Sequence, residues 1–188
     1  MNGRDVERAV ATMVGVLGPY ASADWRRRAG TLDWTCAATA AHVAHDLTAY
    51  AGQLAAAAAD GYLPYDLVIR DGTPPERILQ VVTACGRLLS AAVSTAAPAT
   101  RAWHWGPTDA GGFAALGVNE TLVHTWDITQ GLAIDWRPPG ELCAAVLARL
   151  FPGAPDGDPA QVLLWCTGRT ELPGRPRRTS WVPTAATG

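Results

Sequence analysis

Glu120 and His124 lie four residues apart in the stretch Asn119-Glu120-Thr121-Leu122-Val123-His124-Thr125-Trp126-Asp127. On a helix that spacing puts a carboxylate and an imidazole on one face, about one turn apart, and Asp127 follows on the same face. Both groups offer lone pairs to one point in space, so they can form two legs of a metal site. The same spacing also serves an ordinary solvated or hydrogen-bonded pair. The neighbours Phe113, Leu116, Val123, Trp126 and Ile128 are apolar. The face therefore reads as partly buried, and a buried carboxylate must be paired or coordinate a cation. Asn119 and Thr125 read as polar residues of the opposite side. A second segment, Ala41-His42-Val43-Ala44-His45-Asp46-Leu47, supplies a matching imidazole in His42. Two imidazoles and one carboxylate are the donor set of many catalytic zinc sites and of the facial triad for iron. Three protein ligands leave a position open for water or substrate.

Other side chains are candidates for the surroundings of such a centre. Asp46 lies one turn past His42 and Asp127 nearly one turn past His124. Either could orient a ligand histidine through its other ring nitrogen, and Asp127 is the better placed because it shares a motif with His124. His104 stands between Trp103 and Trp105. It is a candidate general acid or base at the mouth of the site, the alternative being a loop packed by the two indoles. His45 is expected at the bundle edge, facing solvent. Arg26-Arg27-Arg28 reads as a solvated face, with an anion clamp as the alternative.

The elements that must position these residues are helical. Residues 4–29 read as a first helix, with Val6, Val10, Met13, Val14 and Leu17 at three-to-four spacing and Gly18-Pro19 kinking or splitting it. Asp33 or Thr35 is expected to cap a second helix that runs to about residue 59 and carries His42. Thr73 is expected to cap a third, opened by Pro74-Pro75 and ending near residue 95. Gly111-Gly112 is expected to precede a fourth, from about 113 to 132, which carries the Glu/His motif. Pro138-Pro139 opens a short helix over 140–151. Residues 160–167 are apolar enough for strand or helix, with helix favoured after Pro159. The tail after Gly168 reads as irregular, pinned by Trp181. With no strand-like alternation the class is all-α: a four-helix bundle with additional short C-terminal helices, residues 1–188 forming one domain. A bundle interior is where such a donor set belongs.

Composition excludes several kinds of chemistry. Fifteen basic residues are all arginine, so lysine Schiff-base chemistry is impossible. A net charge of -2 leaves no basic footprint for nucleic acid and no polybasic patch for a membrane. Charged and polar residues interrupt the Ala-rich runs before they could span a bilayer. The four cysteines form no C-x-x-C pair and read as small buried hydrophobes. No export signal opens the chain, so a cytoplasmic protein with reduced thiols is expected, acting on a small molecule. Its Ala-rich helix faces could pair two copies into a homodimer.

Trp34-Thr35, with His42 eight residues after the tryptophan, resembles the first motif of the maleylpyruvate isomerase N-terminal domains, the mycothiol-dependent branch of the DinB-like metalloenzyme superfamily. Glu120 to Asp127 resembles the second motif. Trp165-Cys166-Thr167-Gly168-Arg169-Thr170-Glu171-Leu172-Pro173-Gly174 resembles the C-terminal signature of a short actinobacterial subgroup, so the resemblance runs over nearly the whole chain. It implies a DinB-like four-helix bundle with a divalent metal ion, zinc in many relatives, held by His42, Glu120 and His124. It also implies a metal-activated low-molecular-weight thiol, used for transfer or isomerisation. The maleylpyruvate isomerases carry a further C-terminal domain that contributes to their active site, for which 188 residues leave no room. Maleylpyruvate isomerisation itself is therefore not expected. Three readings follow. The first is a thiol-dependent transferase or isomerase acting on a small electrophile, with Asp127 or His104 handling protons. The second is a thiol-independent biosynthetic hydrolase, lyase, isomerase or cyclase of the same fold. The third is a non-catalytic metal-binding stress or sensing protein.

Overall fold

A helix starts where a side chain or a proline can deal with its first free N–H groups. In the computed structural model, which describes residues 1–187, α1 (Gly3–Leu17) begins behind a capping box of Asn2 and Asp5. α2 (Cys36–Ala56) begins at Thr35, whose hydroxyl accepts from the Ala38 amide. α3 (Pro75–Thr95) opens on its two prolines. A two-strand hairpin, β1 (Ala102–Trp103) with β2 (Pro107–Thr108), precedes α4 (Ala110–Gly131). α4 begins at Asp109, whose carboxylate accepts from the Gly112 amide and pairs with Arg149. α5 (Gly140–Leu150) and α6 (Pro159–Cys166) follow. The fold is all-α. α2 packs on α3 and α4, α1 packs on the same pair, α5 is added against α4 and α6 against α5. α3 is the described helix long and apolar enough to cross a membrane by length and composition. Its stripe of Ile78, Leu79, Val82, Leu89 and Val93 is buried in the bundle.

α4 is the axis of the molecule. Sixteen of its 22 residues are buried, among them Phe113, Leu116, Leu122 and Ile128. That is the pattern of a core helix rather than an amphipathic surface one. Its polar residues are accommodated locally: Thr121 and Thr125 donate to the carbonyls four residues back, and Thr129 donates to that of Trp126. Gly117 lets α3 and α2 come close, since a Cβ there would run into side chains of Leu89 and Leu47.

Several expected boundaries move. The first helix stops at Leu17, followed by one tight turn over Gly18–Tyr20, and residues 21–28 are turns and bends that end in an isolated bridge of Arg28 with Thr35. Pro19 starts the break. The later segment then finds better partners elsewhere: Trp25 is buried and donates its indole N–H to the Tyr20 carbonyl, and the carbonyls of Trp25 and Arg27 accept from Ala37 and Cys36. Arg26 pairs with Asp24 and Arg28 with Asp33 on the surface, as a solvated run would. Thr73 does not cap α3; its hydroxyl donates to the Arg70 carbonyl, and Pro74 holds the cap position. Gly111 and Gly112 lie inside the first turn of α4 rather than before it, because Asp109 is the cap. Asn119 and Thr125 are buried, not a polar outer side. Residues 160–167 fall on α6, as favoured.

A candidate metal centre

Burial of α4 on all sides presses the Glu120/His124 face against α2, where His42 stands. Nε2 of His124 lies 3.2 Å from Oε2 of Glu120, and Nε2 of His42 lies 3.9 Å from the same oxygen. One donor atom from each of the three residues lies within 4.8 Å of the others. The His124 side chain is 7% exposed and that of Glu120 19%. His42 is more open, and the Trp34 ring covers it with centroids 4.7 Å apart.

His124 and Glu120 are held from behind. Nδ1 of His124 meets Oδ2 of Asp127 at 2.9 Å. A proton on Nδ1 suits that contact, so Nε2 faces the centre and is the nitrogen whose lone pair becomes available once the imidazole is neutral; this assignment follows from the hydrogen-bond network. Asp127 is completely buried. Arg169 donates to both its oxygens, Nη2 to Oδ2 at 2.8 Å and Nε to Oδ1 at 3.2 Å. Asn119 donates through Nδ2 to Oε1 of Glu120, which leaves Oε2 to the centre.

Asp46 takes an unexpected position. Its Oδ2 lies 3.3 Å from Nε2 of His42, the nitrogen that faces Glu120, and not from the other ring nitrogen. Two carboxylates therefore approach one imidazole nitrogen. His45 does not face open solvent. It is half-buried, its Nδ1 accepts from the Leu67 amide at 3.2 Å, and its ring stacks 6.4 Å from that of His42. His104 sits beyond Asp46 with Tyr50, Tyr62 and Phe113 around its ring.

The electrostatics follow from these contacts. Burial alone would push His124 down, but its hydrogen bonds to Asp127 and Glu120 outweigh it and lift the imidazole to about 9. Burial pushes His42 down to about 4, helped by the positive charge of His124. Glu120 and Asp127 are both held low: burial opposes their ionisation, but His124 overcomes it at each, with Arg169 bonded to Asp127. Asp46 is pushed up, by burial first and by the charge of Glu120 next. The surplus of carboxylate oxygens around His42 and His124 is what a divalent cation relieves, and the nitrogen and oxygen donors fit one.

One cavity is lined by His42, and another adjoins the centre through Asp46. The latter, of about 320 Å³, is lined by Asp46, Tyr50, Tyr62 and His104. The former, of about 500 Å³, is lined by Trp34, His42, Leu67 and Ile78. His45 lines both. The segment over them is tied to α2: Gln53 donates to the Gly61 carbonyl and accepts from the Leu63 amide, and Tyr65 donates to the Thr48 carbonyl.

The structure thus brings His42, Glu120 and His124 together, places Asp127 behind His124, and sets His104 in a cavity wall one residue layer away. Sequence reasoning missed the part played by Arg169, which reaches Asp127 across 42 residues. Spacing could not reveal it; only a buried carboxylate in need of a second partner hinted at a cation.

A family model described as the mycothiol maleylpyruvate isomerase N-terminal domain matches residues 6–129, from α1 through most of α4. The three converging residues and Asp127 lie inside the match; Arg169 and the stretch from Trp165 to Gly174 lie beyond it. No curated protein and no solved structure matches the chain.

Proposed function

We propose, on the premise that the chain belongs to the mycothiol maleylpyruvate isomerase N-terminal domain family, that it is a divalent-metal-dependent enzyme of the DinB-like kind, using a low-molecular-weight thiol to transfer to or isomerise a small electrophile. The observation that carries this reading is the convergence of His42, Glu120 and His124 beside a cavity that His42 lines, with a second cavity adjoining through Asp46. A purely structural or sensing ion needs no such space beside it. These three residues would hold the ion, and their nitrogen and oxygen donors suit zinc. When bound, the ion would lower the pKa of a neighbouring thiol or water.

The remaining work falls to the chain itself. Asp127 fixes the ring of His124 through Nδ1 and presents Nε2 to the centre. Arg169 keeps Asp127 ionised in a buried place, so that this orientation persists. With both oxygens engaged, Asp127 positions His124 rather than touching substrate. Asp46, half-buried at the centre, is the group placed to take the proton of an incoming thiol at Oδ2 and return it to the product. His104 serves protons at the far end of its cavity. Trp34 restricts water at the outer side of His42.

Thiol consumption tests this reading. Zinc-loaded protein is mixed with mycothiol or cysteine and a small aromatic halide, and free thiol is followed. Metal-dependent consumption that disappears in His124→Ala is the expected result. Metal-dependent turnover of substrate without any thiol would move the function to a thiol-independent enzyme. Tight metal binding without turnover of any kind would move it to a non-catalytic role.

A further inference from the structure

The cavity of about 320 Å³ beside the centre has a chemistry of its own. Its wall carries the Asp46 carboxylate, the Asp66 carboxylate, the rings of Tyr50 and Tyr62, and His104. Among the described residues no arginine lines it, and the chain contains no lysine. Gln53 also lies in the wall, but its amide is committed: Nε2 donates to the carbonyls of Gly61 and Trp103, and Oε1 accepts from Leu63. His104 is only 6% exposed, and its buried Nδ1 has no hydrogen-bond partner among the described residues. A buried polar atom left in this way costs free energy until something supplies the missing bond.

The groups that meet a ligand are the Asp46 and Asp66 carboxylates, the imidazoles of His45 and His104, and the rings and hydroxyls of Tyr50 and Tyr62. Carboxylates accept hydrogen bonds and do not donate them. Tyrosine faces attract cations. An anionic group entering here would face two carboxylates with no arginine or lysine to pair with it. We propose that this cavity binds the ammonium group of an amine-bearing small molecule, so that the substrate of the neighbouring centre is an amine rather than an anion. Asp46 is the link, since it belongs both to the cavity wall and to the carboxylate cluster at His42. An ammonium held there sets the rest of the molecule within reach of the triad. The assignment of the bound amine as substrate rests on the enzymatic reading given above; the binding itself does not.

Benzylammonium, benzyl alcohol and benzoate share a shape and differ in charge, which makes them suitable probes. Titrated calorimetrically into the zinc-loaded full chain, benzylammonium is expected to bind about tenfold more tightly than either of the others. Asp46→Asn is expected to erase that preference. Tyr62→Ala, which alters none of the three converging residues, is expected to weaken benzylammonium several-fold and leave the zinc content intact. Equal binding of the three probes, tighter binding of benzoate, or an affinity for benzylammonium unchanged in both variants would overturn the proposal. Zinc content measured on the same samples keeps the two claims apart. A protein that prefers the amine but holds no zinc contradicts the metal centre alone. A zinc-loaded protein indifferent to probe charge contradicts the amine cavity alone.

Discussion

His124 sits between two carboxylates, and much of the chemistry of the site depends on that placement. Its Nε2 faces Glu120 and its Nδ1 is bonded to Asp127. Replacing it with alanine should abolish zinc binding by equilibrium dialysis while the helical circular dichroism spectrum persists, because the apolar stripes hold the bundle. His45→Ala should retain zinc. It should instead release the segment that His45 fastens at the Leu67 amide, seen as faster hydrogen exchange there. Arg169 supports the site from behind. Its side chain is 7% exposed and that of Asp127 only 1%. Arg169→Ala leaves a buried carboxylate with half its partners, so chemical denaturation should show a loss of about 3–5 kcal/mol. Zinc affinity should also fall about 10–100-fold, as it does when a group behind a metal ligand is lost. Unchanged stability in that variant would contradict the account of Asp127. At this scale the three donors were legible because a four-residue spacing and a histidine on another helix are local patterns. Asp46 approaching Nε2 of His42, and Arg169 reaching Asp127, are outcomes of packing between segments and leave no such pattern.

The elements were legible where apolar periodicity and start signals agreed. α2 from Thr35, α3 from its prolines, α5, and the doubtful segment that became α6 all follow from residues next to their ends. The first helix was overextended because a helix-compatible composition continues past Pro19, while the backbone beyond it bonds to the start of α2. The environment of α4 was the larger surprise. Its threonines bond back to their own helix, so polar residues there do not mark a wet face. The close packing of α4 also makes a test. Gly117→Ala would gain about 1 kcal/mol of helix propensity, but overpacking against Leu89 and Leu47 costs about 1–3 kcal/mol. The urea midpoint should therefore fall, by up to about 2 kcal/mol of stability. A rise would show that α4 is packed less tightly than described.

For the whole molecule, the charges at the centre couple folding, protons and metal. In the metal-free protein His42 is pushed down from 6.5 to about 4. The unfolded chain then binds a proton that the folded one resists, so stability falls as pH drops through that window. His124 is lifted from 6.5 to about 9. Its contribution is fully present below 6.5 and is lost as pH rises through about 9. The melting temperature of metal-free protein should accordingly decline as pH rises through about 9, whereas below neutrality the raised Asp46 carboxyl, protonated in the folded state, opposes the loss at His42. At neutral pH His124 holds a proton that a metal must displace, whereas His42 and Glu120 are already deprotonated. Zinc binding at pH 7 should therefore release at least one proton, measured by calorimetry in buffers of different ionisation enthalpy. Asp46, whose carboxyl is also pushed up, should add to that release, and Asp46→Asn should remove the addition. The most direct test of the central claim is anomalous diffraction at the zinc edge from crystals of the zinc-loaded protein. A single strong peak within bonding distance of Nε2 of His42, a Glu120 carboxylate oxygen and Nε2 of His124 is the expected result. A peak on other residues, or none at these three, would contradict it.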